Sequence, residues 1–348
     1  MAASPKQFIS QIESNKEYLR IAKIVVERTL ALKTTETISI FADNAAGKIG
    51  AAVFLVAEGI AKQANFRIIE HSYGKRPIIG IPTEIKELTE ASDVVVYVLG
   101  DQYGEERAEN GIRAYWMFEW ALTKKLGRCT GMPGITEQMF LNLVDIDYQK
   151  LKGRATKIAK LIAGRYIHII TPAGTDLIFS LLKADGTPCE TDPDIGENHE
   201  KGKPGVANIP CGEICYMYEM NTNHCHGTVV IDGAIGDFGL VDQPLSFDVY
   251  KGRILLDTIK GGKAAQYLKN EIKRSKDGEG AVFSELGIGL NEKAKLHPNL
   301  NCLEAEKIWG TVHVAFGRKV HNDCVLKNPK VIALKPETVK EQKESWKI

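Results

Sequence analysis

Apolar and polar positions in the first half of the chain follow two alternating patterns. From about residue 15 to 33 the apolar residues recur at helical spacing, and the β-branched run "TISIFAD" (Thr37 to Asp43) follows. A second helical pattern, "AAGKIGAAVFLVAEGIAKQA", leads to the strand-like "FRIIEHS". A short helix in "ELTEASD" then leads to a buried strand from Asp93 to Leu99. Strands separated by helix-length segments predict a parallel sheet with helices on its faces. "GIRAYWMFEWALTKKLGRCTGMPGITEQMF" continues this style, and Gly131-Met132-Pro133-Gly134 within it reads as a loop.

The pattern changes near Tyr166. "YIHIITP", "DLIFSLL", "EICYMYEM", "GTVVIDG" and "RILLDTI" are short strands separated by turn residues, with an occasional helix such as "GKAAQYLKNEIKRS". The predicted class is α/β. An N-terminal α/β domain with a mostly parallel sheet (residues 1–155) precedes a C-terminal α+β domain rich in antiparallel strands (residues 156–348). The boundary falls in the lysine-rich helix "QKLKGRATKIAKLIAG". The charged tail from Lys335 reads as a solvated helix or a frayed end.

One hairpin breaks the hydrophobic pattern. "GTVHVAFGRKVHNDCVL" (Gly310 to Leu326) places His313, His321 and Asp323 inside two apolar runs. A three-residue loop, Gly317-Arg318-Lys319, pairs Phe316 with Val320 and sets Asp323 opposite His313. Directly opposed Cβ atoms lie roughly 4.5–5.5 Å apart. Side chains two apart in a strand share a face, so His321 joins them. A loop one residue shorter would send His313 to the other face.

Composition narrows the partners. The chain has 348 residues, with 45 basic and 44 acidic side chains and a net charge of +1. Without a long basic run, nucleic acid and anionic membrane are not expected partners. No apolar run approaches the ~20 residues that cross a bilayer. The polar start "MAASPKQFISQIESNKEYLR" is not a signal peptide. Seven cysteines without a CxxC pair fit a reduced compartment. A cytoplasmic, soluble protein is expected.

The same anomaly, a charged or imidazole group among apolar strand neighbours, recurs at Glu213 ("NIPCGEICYMY") and Glu285 ("AVFSELGIGLN"). Burying an isolated carboxylate is costly unless it is paired or bound to a cation. If Glu213, Glu285, His313, His321 and Asp323 converge, they form a cage for two divalent ions. Nitrogen and oxygen donors without a thiolate suit Zn, Co, Mn or Fe(II). Two ions sharing a carboxylate can activate a bridging water for hydrolysis.

Other constellations are weaker. His168 in "RYIHII" reads as a hydrogen-bonded histidine, and His224, Cys225 and His226 in "NTNHCHG" as part of a turn. "ETDPDIGENHE" lacks the spacing of a calcium loop and reads as an acidic loop that could border a substrate site. No G-x-G-x-x-G follows a strand in the first half, so a nicotinamide enzyme is rejected.

"MPGITEQMF", "TPAGTDLIFSL", "NIPCGEIC", "GTVVIDG", "SELGIGLN", "EKIWGTVHVAFG" and the H-x-D of "HNDC", in that order, resemble the dinuclear metallopeptidases of the aminopeptidase T and aminopeptidase S group. The resemblance covers roughly residues 85–326. It implies an α/β N-terminal domain, a C-terminal domain carrying the metal site, and a homodimer. It also implies a metal-dependent hydrolase, aminopeptidase-like, acting on a peptide or other small-molecule amide. The family's metal ligands match Glu213, Glu285, His313, His321 and Asp323, and Glu213 would assist proton transfer or hold the metal. Where the family carries a tyrosine seven residues after the Gly-Thr histidine, this chain has Val320. The chain either does without it or supplies a substitute, and Tyr216 and Tyr218 lie near Glu213 in sequence.

A second branch, the ring-cleaving 2,5-dihydroxypyridine dioxygenases, is similar in architecture. That branch holds one Fe(II) with a histidine where Glu285 stands, plus the final H-x-D, and lacks counterparts of Glu213 and His313. The alternative reading is therefore a mononuclear iron oxygenase. A metal-binding homologue without peptidase activity is the third.

Overall fold

The computed structural model describes residues 3–73, 80–100, 112, 115–123, 127–190, 192–194, 205–217, 222–275, 278–317 and 322–335. It divides into two units, Met1–Asp147 with Asp194–Cys211, and Tyr148–Pro193 with Gly212–Ile348. The helix Tyr148–Ile162, where the sequence places the boundary, thus belongs to the second unit.

In the first unit the strands Gln63–Ile68, Thr37–Ala42, Val94–Leu99, Arg128–Pro133 and Gly205–Asn208 form one sheet in that order. Every pairing in it is parallel. Val94–Leu99 is buried throughout, as expected of a strand covered on both faces. Two local expectations are corrected. Gly131-Met132-Pro133 is the end of a buried strand rather than a loop. Its glycine is required by close approach, because a Cβ on Gly131 would stand 2.1 Å from the Tyr97 hydroxyl. "FRIIEHS" is a strand only as far as Ile68 and turns into the helix Ile69–Tyr73. There the Glu70 carboxylate accepts the Asn44 N–H at 2.9 Å, which draws the chain out of the ladder.

The second unit holds two sheets, and all its described strand pairings are antiparallel. One runs Arg253–Ile254, Leu245–Tyr250, His226–Ile231, Asp176–Ser180, Tyr166–Ile170, Lys330–Leu334. The other includes Ala234–Ile235, Asn322–Leu326, Val312–Phe316, Phe283–Gly289 and Glu213–Met217, in that order. Phe179 and Phe247 of the first sheet meet Phe283 and Phe316 of the second, with ring centroids 5.0 and 5.2 Å apart. This aromatic layer is the core between the sheets. No helix among the described residues is long and apolar enough to cross a membrane.

A bulge sets the chemistry of this sheet. Phe283 pairs with Phe316 and Glu285 with Ala315, so one residue is inserted at Ser284. The extra residue lets Phe283 face the aromatic core while Glu285 faces the opposite side.

Candidate metal centre

The ladder places the polar residues on one face of the second sheet. Asp323 lies opposite Ala315, Ala315 opposite Glu285, His313 opposite Gly287, and Gly289 opposite Glu213. Opposed residues point the same way, and so do residues two apart, so all of these share a face. Its centre is paved by Gly287, Gly289 and Ala315, which carry little or no side chain. The small residues let His313 and the Ile308 backbone pack directly on the sheet among the carboxylates.

The hairpin register differs from the predicted one. Phe316 pairs with Asn322, Ala315 with Asp323 and His313 with Val325, so the connection is 317–321 rather than three residues. Gly317 has φ +99°, and its N–H bonds Val282 O at 2.7 Å, which takes the chain away from the hairpin directly after Phe316. Asp323 therefore opposes Ala315 and not His313. Because the slip is even, Asp323 and His313 still share a face.

His313 is fully buried and folds over Gly287, where a Cβ would stand 1.8 Å from its Nε2. That nitrogen lies 3.4 Å from Glu285 Oε1 and 3.6 Å from Glu213 Oε2. His313 Nδ1 and Glu213 Oε2 are buried without a hydrogen-bond partner. The three side chains offer ligand atoms within 4.8 Å of one another. A cradle with orphaned donor atoms and nothing but nitrogen and oxygen ligands fits a divalent cation. Burial pushes the Glu213 carboxyl up to about 8, against Lys307 and His313, which pull it down. Burial alone would lower His313, but hydrogen bonding to Glu285 and the charges of Glu213 and Asp323 outweigh it and raise the imidazole to about 9.

A second group adjoins the first. Cys302 Sγ lies 3.0 Å from Asp323 Oδ2 and 3.2 Å from Glu306 Oε1, and the three form another set of candidate ligands. Asn301 caps the short helix Cys302–Ala305, accepting from Glu304 N at 3.2 Å, and so aims Cys302 at Asp323. Lys307 adjoins both groups, its Nζ donating to Glu213 Oε1 and lying 3.4 Å from Glu306 Oε2. Only partly buried, Glu306 is held down to about 2 by Lys307 and His313. Burial and the neighbouring carboxylates of Asp323 and Glu306 push the Cys302 thiol well up.

Of the five predicted ligands, Glu213, Glu285 and His313 come together, and Asp323 joins the adjacent group. His321 and Val320 lie outside the described residues, as does Tyr218. Tyr216 points to the other face of its strand. Cys302, Glu306 and Lys307 were not predicted. Glu306 and Lys307 belong to "EKIWG", whose adjacent charges before a buried strand were the available signal; Cys302 had none. His168 bonds Asp176 Oδ1 at 2.7 Å, and His226 bonds Asn223 O at 2.9 Å, both on strands of the other sheet. "ETDPDIGENHE" falls mostly outside the described residues.

The family model for NicX, 2,5-dihydroxypyridine 5,6-dioxygenase, matches residues 17–317. The chain belongs to this family. Membership makes it an enzyme, and it favours the branch that the sequence placed second over the hydrolase placed first. No curated protein matches the chain in sequence. Among solved structures, the 2,5-dihydroxypyridine dioxygenase from Pseudomonas putida KT2440 is similar, with 18% identity and a TM-score of 0.68 over 92% of this chain and 96% of that one. Wild-type AmpT from Thermus thermophilus is similar too, with 13% identity and a TM-score of 0.62 over the same shares. At these identities the two likenesses establish the NicX-family member's fold.

Proposed function

We propose that the protein is a metal-dependent dioxygenase that opens a hydroxylated nitrogen-heterocyclic ring, of which 2,5-dihydroxypyridine is the type, using one ferrous ion. The family match across residues 17–317 carries this reading. Glu213, Glu285 and His313 would hold the ion, with Asp323 on the same face of the sheet. With His321 the proposed donors would be two imidazoles and three carboxylates, nitrogen and oxygen ligands that suit a ferrous ion. A bound ferrous ion would supply the one-electron chemistry that lets dioxygen react with a closed-shell ring. The chain's own part is to bind and to shield. Glu213, Glu285, His313 and Asp323 are almost wholly buried, so their cluster excludes bulk water and strengthens every charge interaction within it.

The test is dioxygen uptake by iron-loaded protein given 2,5-dihydroxypyridine. One dioxygen consumed per ring lost, followed by the fall of its ultraviolet absorbance, supports the proposal. A second reading, an aminopeptidase-like hydrolase with two ions, draws on the two adjoining ligand groups and on the fold shared with AmpT. Release of amino acids from unblocked peptides by zinc-, cobalt- or manganese-loaded protein, without dioxygen uptake, would replace the first reading with this one.

A further inference from the structure

Five side chains make one continuous path between the two ligand groups. Lys307 Nζ donates to Glu213 Oε1 and lies 3.4 Å from Glu306 Oε2. Glu306 Oε1 lies 3.2 Å from Cys302 Sγ, and the same thiol lies 3.0 Å from Asp323 Oδ2. The ends of this path belong to strands that are not neighbours. Glu213 begins Glu213–Met217 and Asp323 stands in Asn322–Leu326, with Phe283–Gly289 and Val312–Phe316 between them. Ladder hydrogen bonds fix the backbone of each strand but leave a carboxylate free to rotate about its own side-chain bonds. The three middle residues come from one short stretch. Its Glu306 N–H bonds Cys302 O at 3.2 Å, and residues four apart in a helical turn share a face, so Cys302 and Glu306 are presented together. The Asn291 N–H donates to Lys307 O at 2.8 Å, and a Cβ on Gly289 would collide with Ile308 O, so the stretch is anchored directly on the sheet.

We infer that Glu306 is a positioning residue: it holds Lys307 and Cys302 in place, and these two fix the carboxylates of Glu213 and Asp323 toward the ion. This deepens the metal-centre reading above and rests on it. Glu213 and Asp323 each turn one oxygen to the path, which sets the direction of the other. Glu213 Oε2 is thereby left 3.6 Å from His313 Nε2. Glu306 is not itself a ligand, because one of its oxygens faces the ammonium and the other the thiol. Orientation by outer partners of this kind is worth ~10–100-fold in metal affinity.

The test is titration of the full chain with Co²⁺, reading affinity together with the visible bands of the bound ion. Glu306→Ala should bind Co²⁺ ~10–100-fold more weakly, with bands at the wild-type positions, because no donor atom leaves the ion. Cys302→Ala should weaken binding in the same direction, and Cys302→Ser should restore it. In the Cys302→Ala background, Glu306→Ala should cost at least about threefold less than in the wild type, because one arm of the path is already broken. Wild-type affinity in Glu306→Ala or Cys302→Ala would overturn the inference, even if thermal stability fell. Shifted bands in Glu306→Ala would make Glu306 a ligand and overturn it too, as would losses that simply multiply in the double variant. If Glu306→Ala does not fold, Glu306→Gln, of the same size, is read by the same criteria. Wild-type protein that binds no divalent ion would sink the metal-centre reading itself. This pattern of Co²⁺ binding without dioxygen uptake by iron-loaded protein would sink the dioxygenase proposal and leave the inference standing.

Discussion

His313 reaches over Gly287 on the neighbouring strand, so close that a Cβ on the glycine would overlap the imidazole. The strand partner of His313 therefore has to be glycine. The same missing side chain gives His313 room to reach Glu285 and Glu213.

Gly287→Ala should displace His313 and weaken metal binding by ~10–100-fold, the range seen when groups that orient a ligand are lost. Overpacking should also cost about 1–3 kcal/mol of stability. Metal titration and thermal melts of the variant check both. Wild-type metal affinity in Gly287→Ala would show that the ring's position over this residue is not what holds the site together.

Glu285→Gln keeps the size of the side chain and removes its charge. It should lose the ion and at least ~100-fold of turnover, because Glu285 Oε1 lies 3.4 Å from His313 Nε2 in the same candidate ligand group. The fold should survive, since the bulge at Ser284 and the aromatic core are untouched. Circular dichroism together with metal content tests this, and full metal occupancy in Glu285→Gln would remove Glu285 from the ligand set.

The chelated protein should lose stability as pH rises, and added metal should reverse the trend. His313 is raised from 6.5 to about 9 in the fold, so its contribution is complete below 6.5 and is lost as pH rises through 9. Glu213 is raised from 4.5 to about 8, so the native state also binds the extra proton across that span. Both groups make stability fall with pH in the metal-free protein. A metal needs the deprotonated ligands, so its affinity should climb over the same interval, with protons released on binding. Melting temperatures from pH 6 to 9, with and without metal, give the result. A metal-free protein that gains stability toward pH 9 would contradict the assigned charge states.

Cobalt-substituted protein should lack the intense near-ultraviolet band of a cobalt–thiolate bond. Cys302 is within reach of Asp323 and Glu306, but burial and those carboxylates keep it a thiol. Cys302→Ser, which preserves a donor for both carboxylates, should keep metal content and activity within about threefold, a small loss for one neutral hydrogen bond exchanged for another. A strong band that disappears in Cys302→Ser would make this thiolate a ligand.

The sequence by itself determined the two textures of the chain, because hydrophobic periodicity reports burial of local segments. The parallel sheet of the first unit and the antiparallel strands of the second follow from it. It also picked out Glu213, Glu285, His313 and Asp323, since a charge inside an apolar strand has few explanations. What it left open depended on partners distant in the chain. The register of the 312–326 hairpin turned on the bend at Gly317. The face of Glu285 turned on a one-residue bulge at Ser284. Cys302 and Lys307 entered the centre through an anchored irregular segment with no period of its own. Only the tertiary structure decided that Lys307 stands among the carboxylates, because an ammonium's partner is set by where the backbone is held in space.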